Sequence, residues 1–121
     1  MKSMAKENLF IPQHKKKELQ KELKKITNVI IPKYRPEKII LFGSLAHNHI
    51  RETSDIDIFI IKDTYKRYWD RIDEVLHLVH PEEAIDIFIF TPKEVKDNLR
   101  KKNPYLKEIL EEGKVLYERT S

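Results

Sequence analysis

Three aspartates are the residues of this chain whose type and spacing invite chemistry. Asp55 and Asp57 stand two apart in the run Asp55-Ile56-Asp57-Ile58-Phe59-Ile60-Ile61, whose alternation and β-branched content predict a strand. Side chains two apart on a strand share a face. The two carboxylates are therefore neighbours, while Ile56, Ile58 and Ile60 turn the other way, toward a helical layer. Asp86 has the same setting in Ala84-Ile85-Asp86-Ile87-Phe88-Ile89-Phe90. If the two strands are adjacent, three carboxylates meet on one patch. A carboxylate drawn out of water is costly unless paired, yet no Arg or Lys alternates along either run. Acids solvated at strand ends are the plain alternative, and for Asp55 alone they would suffice. The set of three points instead to a hard divalent cation such as Mg²⁺, which takes carboxylate oxygens and substrate phosphates together.

Positioning these groups requires the elements upstream and between them. Lys38-Ile39-Ile40-Leu41-Phe42 is a short apolar run ending at Gly43, which reads as a buried strand. Gly43-Ser44 then opens a polar stretch to Ser54 with room for a short helix. Glycine permits close backbone approach, and helix N-terminal amides with the Ser44 hydroxyl offer donors to a phosphate. Alone, such a Gly-Ser pair is usually a turn; its weight comes from the Asp-x-Asp that follows ten residues later. Leu19, Leu23, Ile26 and Ile30 predict a helix from 13 to about 31, with Pro32 and Pro36 punctuating the loop behind it. Asp63 is placed to cap a helix bearing Tyr65, Tyr68, Ile72, Val75, Leu76 and Val79, with Tyr68 and Trp69 in its core. Thr91-Pro92-Lys93-Glu94 is a capping box opening a helix to about Lys102. Asn103-Pro104 restarts a helix that Gly113 ends. The expected fold is α/β (α+β): a small three-stranded mixed sheet with flanking helices, forming one domain over 13–121 behind a loose arm at 1–12.

Bulk composition narrows the function classes. The chain has 121 residues, 40% apolar and 36% charged, as expected of one globular domain with a charged surface. No apolar run approaches the roughly 20 residues that span a bilayer, and the first residues lack a signal-peptide core. The absence of cysteine removes disulfide frameworks and thiolate zinc sites. A cytoplasmic, non-membrane protein is expected. The net charge of +4 tolerates nucleic acid without demanding it. The lysines at 15, 16, 17, 21, 24 and 25 read as a solvated helix face rather than an RNA surface. His77 and His80 lack a third ligand for zinc.

The combination Ile39-Ile40-Leu41-Phe42-Gly43-Ser44-Leu45-Ala46 with Ser54-Asp55-Ile56-Asp57-Ile58-Phe59-Ile60 and Asp86 resembles the polymerase-β-like nucleotidyltransferases, and within them the minimal nucleotidyltransferase branch. The resemblance covers residues 37–90. It implies an NTP-dependent enzyme with two Mg²⁺ ions: Asp55, Asp57 and Asp86 as metal ligands and catalytic carboxylates, with Gly43, Ser44, His47 and Ser54 binding the nucleotide. His47 and Asn48 stand where many members of this branch have Arg and Gly. The branch also implies a partner, since the chain has no acceptor-binding domain. That partner is a helical HEPN-type toxin, which the nucleotidyltransferase would silence as antitoxin by moving AMP from ATP to one of its tyrosines. A non-catalytic binding module of the same fold, and a nucleotidyltransferase acting on RNA or a small molecule, are the alternatives.

Overall fold

A computed structural model describes residues 12–120; the arm expected over 1–12 falls, apart from Pro12, outside them. The element order is α1 (Gln13–Tyr34), β1 (Lys38–Phe42), α2 (Gly43–Ala46), β2 (Ile56–Ile61), α3 (Tyr68–Val79), β3 (Ile85–Phe90), α4 (Pro92–Arg100), α5 (Pro104–Glu112) and β4 (Lys114–Glu118). The strands form one sheet in the order β3-β2-β1-β4. β1 runs antiparallel to both β2 and β4, and β2 runs parallel to β3. The sheet is thus mixed, as expected, but has four strands rather than three. No helix among the described residues is long and apolar enough to cross a membrane.

Strand alternation distributes the apolar residues onto two faces. On one, Ile39, Leu41, Ile56, Ile58, Ile60, Ile87 and Ile89 pack on Leu19, Ile26 and Ile30 of α1 and on Val75 and Val79 of α3. Burying each such side chain contributes about 1.5–3 kcal/mol, so this layer carries most of the stability. On the other face Ile40, Phe42 and Phe59 meet Leu106 and Ile109 of α5. Asp57 and Asp86 lie on this second face, at its end, where helical cover stops.

Several local expectations are corrected. Helix α1 passes through Pro32 and ends at Tyr34; the proline gives up one N–H of the helical ladder, and the extension seats Tyr34 in the core. Arg35, with a left-handed φ of 57°, closes it by donating its N–H to the Ile30 carbonyl. Asp63 does not cap α3, which starts only at Tyr68 behind Arg67, so Tyr65 lies outside the helix and is fully exposed. Trp69 is also mostly exposed, at 73%, rather than in the helix–sheet core.

The capping box forms as predicted: Glu94 N–H donates to Thr91 Oγ1 at 3.1 Å and Thr91 N–H to Glu94 Oε1 at 2.8 Å. Glu94 also accepts from Arg71 at 2.7 Å, tying α4 to α3. Gly113 ends α5, but with an extended φ of −71° rather than a left-handed cap. Glycine is needed there for proximity: a Cβ would fall 2.5 Å from both the Ile109 carbonyl and Ile40 Cγ2. The chain then enters β4 directly, which pairs with β1.

Candidate active site

The parallel register of β2 and β3 sets Asp57 directly beside Asp86, and the antiparallel register of β1 and β2 sets Asp57 beside Phe42. Asp55 sits just before β2 and is half-buried, as is Asp57, whereas Asp86 on the edge strand is exposed. One carboxylate oxygen from each lies within 4.8 Å of the others. Among the described residues this is the sole group of three or more potential metal ligands, and His77 and His80 belong to no such group. None of the three aspartates takes part in an ion pair among these residues.

The electrostatic consequence falls on the middle carboxyl. Burial pushes Asp57 up from an ordinary 3.8 to about 7, and the charges of Asp55 and Asp86 add to the shift. A donor set of three unneutralised oxygens, hard and closely spaced, fits a hard divalent cation. The residues present therefore suit the metal that the sequence implied.

Gly43 closes β1 and begins α2 with φ of 76°, a conformation glycine adopts without penalty. Its missing side chain matters as much as its backbone, because a Cβ would fall 2.2 Å from Asp57 Oδ2. The glycine loop and the Asp-x-Asp strand are in this way one packed unit. Ser44 Oγ donates to Ser54 Oγ at 3.1 Å, and Ser54 Oγ accepts from the Arg51 N–H at 2.7 Å. The polar stretch is thereby folded back so that both ends of the predicted binding loop meet. His47 follows α2 and is exposed toward the cleft. Asn48, at the position where the resemblance led to the expectation of Gly in many members, has φ of 59°; Asn is among the non-glycine residues that tolerate this region best.

A cleft of about 720 Å³ opens here, lined by Ser44, Ser54, His47, His49, Arg51 and Asp55. It adjoins a recess of about 270 Å³ that reaches Asp57 and is walled by Phe42, Tyr105 and Ile109. Gly43, Ser44, His47, Ser54, Asp55 and Asp57, all singled out from sequence, line this region, and Asp86 joins it through its place beside Asp57. Arg51 and the α5 residues Tyr105, Glu108 and Glu112 were missed. Arg51 is a lone cation in a polar loop, and the α5 residues reach the cleft only through the pairing of β4 with β1, which no local pattern announces.

The comparisons with known proteins agree with this geometry. The sequence model of the family described as polymerase beta, nucleotidyltransferase matches residues 24–121. Two Methanocaldococcus jannaschii proteins, each provisionally named a protein adenylyltransferase, are similar along most of their length. One is 33% identical over 100 residues, covering 81% of this chain and 97% of the relative. The other is 34% identical over 99 residues, covering 78% and 90%. A Sulfolobus solfataricus crystal structure, provisionally described as a nucleotidyltransferase, superposes with a TM-score of 0.61 over 86% of this chain and 84% of that one. At 20% identity it shows the shared fold. Carboxylates, glycine loop and family match converge on one conclusion: the chain belongs to the polymerase beta nucleotidyltransferase family and is a nucleotidyltransferase.

Proposed function

We propose that this nucleotidyltransferase is a Mg²⁺-dependent protein adenylyltransferase, acting in the cytoplasm as an antitoxin that transfers AMP from ATP to a tyrosine of a helical HEPN-type toxin. The observation that carries the transfer chemistry is the convergence of Asp55, Asp57 and Asp86 within 4.8 Å, with Asp55 on the wall of a donor-lined cleft. The relatives provisionally named protein adenylyltransferases support a protein as acceptor.

Asp55 and Asp57 would hold two Mg²⁺ ions, with Asp86 completing the site. When bound, Mg²⁺ supplies charge neutralisation and Lewis acidity at the phosphates. Ser44, Ser54 and the cationic group of Arg51 line the part of the cleft suited to the β- and γ-phosphates. Asp86, exposed on the edge strand, is the carboxylate an incoming hydroxyl can reach, and it accepts that proton. The acceptor oxygen then forms a bond to the α-phosphorus while the bond to the bridging oxygen breaks, and pyrophosphate leaves.

The test is incubation of the protein with Mg-ATP and the product of the neighbouring gene, followed by intact-mass analysis of both. A gain of one AMP unit on a tyrosine of that partner, lost in the Asp57→Asn variant, is the expected result. AMP found instead on RNA or a small molecule would replace the acceptor. No transfer to any acceptor, with Mg-ATP failing to bind, would overturn the reading.

A further inference from the structure

The two edges of the sheet are built differently. β4 begins at Lys114 and ends at Glu118, both exposed, and its pairing with β1 shifts register between Ile39 and Ile40. Charged ends and bulges discourage a further strand from pairing. β3 has neither. It keeps one unbroken register with β2 over its six residues and carries a single charge, Asp86.

Ile56 N–H donates to the Ala84 carbonyl and Lys62 N–H to the Phe90 carbonyl, each at 3.0 Å. Asp86 and Phe88 share that inward parity, so Ile85, Ile87 and Ile89 turn their N–H and C=O groups to the open side. The Ile89 carbonyl is closed off by Arg71 Nη1 at 3.0 Å. Among the described residues, no backbone hydrogen bond from a loop or turn reaches Ile85 or Ile87. The open stretch of the edge is therefore the one that flanks Asp86. Backbone donors and acceptors at strand spacing are matched by an extended polypeptide, not by a sugar or a base.

Side chains favour the same ligand. Asp86, Phe88 and Phe90 share one face of β3, and past Asp86 that face borders a recess of about 370 Å³ lined by Tyr68, Phe88, Phe90, Glu94 and Asn98. Trp69, the chain's one tryptophan, stands edge-on to Tyr68 at 5.2 Å and is mostly exposed. In an antiparallel addition, the residue across from Asp86 meets it in a non-hydrogen-bonded pair, where side chains are closest. Cβ separations there are about 5 Å directly across and about 7–8 Å on the diagonal, within reach of a tyrosine hydroxyl.

We infer that the open edge of β3 holds the acceptor: an extended segment of the acceptor protein adds as an antiparallel strand. It points its tyrosine along the face that carries Asp86 and sets an apolar residue two positions away in the aromatic recess. The inference rests on the reading of a protein as acceptor and assigns where that protein is held.

The test uses the whole chain with Mg-ATP and the capped peptide Val-Thr-Tyr-Thr-Val, read by Trp69 fluorescence for binding and by intact mass for AMP on the peptide. Saturable binding with AMP on the tyrosine is expected. Methylating the two threonine nitrogens removes donors aimed at β3 and should weaken binding about tenfold or more. Methylating the tyrosine nitrogen, aimed away, should change it little. Ile85→Pro deletes one outward N–H at the first residue of the strand, where proline is tolerated, and should weaken the peptide while Mg-ATP binds as before. Should that variant melt early, the two methylated peptides decide the matter on the parent chain. Their binding equally, strongly or weakly, overturns the edge assignment. So does a chain that binds Mg-ATP and modifies the neighbouring gene product but leaves the peptide unbound or unmodified, and the transferase reading then stands. Failure of Mg-ATP to bind, with the peptide bound in the expected methylation pattern, overturns the transferase reading and keeps the edge as a docking site.

Discussion

Glu22 on the inner face of α1 and Asp57 on the open face of β2 are both carboxylates drawn out of water, in one small domain, and their surroundings are opposite. Glu22 is 5% exposed and accepts from the backbone N–H groups of Glu82 and Glu83, with Lys25 Nζ at 3.1 Å. Burial alone would raise its pKa, but these donors more than offset that and hold it below the ordinary carboxylate value. Asp57 has Asp55 and Asp86 for neighbours and is pushed up to about 7. Where the fold uses an acid to join α1 to the loop before β3, it supplies donors. At the cleft it supplies more acid. An energetic conflict left in place at one end of an otherwise satisfied sheet is the mark of a site whose missing charge arrives with the ligand.

The sharpest way to break this contrast is Asp57→Asn. It keeps the shape of the side chain and removes a negative ligand, so transfer should fall about 10²–10³-fold, or about 3–4 kcal/mol. The melting temperature should hold or rise, because one of three mutually repelling acids is neutralised. Ile58→Ala, one residue along and fully buried, should instead lose about 2–5 kcal/mol of stability. If Asp57→Asn melts early and transfers normally, Asp57 belongs with Glu22 and not with the chemistry.

Gly43→Ala should come next, and it mixes the two kinds of effect. The positive φ alone costs about 1 kcal/mol, and the new Cβ must displace the Asp57 carboxylate. Activity should fall further than Ser44→Ala makes it fall, while melting drops by a few degrees. Retained activity in Gly43→Ala would show that Asp57 need not sit where the glycine lets it.

Glu22→Ala tests the other side of the comparison. Two backbone donors lose their acceptor while Lys25 keeps Glu82, costing about 1–3 kcal/mol, and transfer by the folded fraction should be unchanged. A loss of activity at equal folding would mean that the junction between α1 and β3 tunes the site.

How much of this could be read from the sequence follows physical lines. The two Asp-bearing strands, their shared face and the Thr91–Glu94 cap were legible because strand alternation and capping are local. The adjacency of Asp57 and Asp86 was stated only as a condition, since the pairing of β2 with β3 is a tertiary fact. β4 was missed because Lys114–Glu118 is a half-exposed edge strand without apolar alternation, and with it went the placement of α5 over the cleft. Trp69 was misplaced for a related reason: helical spacing shows that a face exists but not whether the sheet extends far enough to cover it. Gly43 was singled out for close backbone approach to a phosphate, while its positive φ and its contact with Asp57 needed coordinates.

The smallest expected effect is the pH dependence of the metal-free protein, where the two carboxylates should act with opposite signs. Asp57 binds its proton more tightly folded than unfolded, since its pKa rises from 3.8 to about 7. Its contribution is therefore full below the unfolded value and is lost as pH climbs from about 4 to 7. Solvent access to a half-buried carboxyl limits the loss to the order of 1 kcal/mol. Glu22, held below 4.5, contributes above that value, and its share is lost as pH falls through its lowered pKa. Chemical denaturation across pH 3–8 without divalent ions should show both limbs. Asp57→Asn should flatten the limb between 4 and 7, and Glu22→Gln should flatten the acid limb. Mg²⁺ must compete with the Asp57 proton, so its stabilisation should be larger at pH 8 than at pH 5. If the parent and Asp57→Asn share one pH profile, Asp57 holds no unusual proton, and the contrast with Glu22 is lost at its electrostatic root.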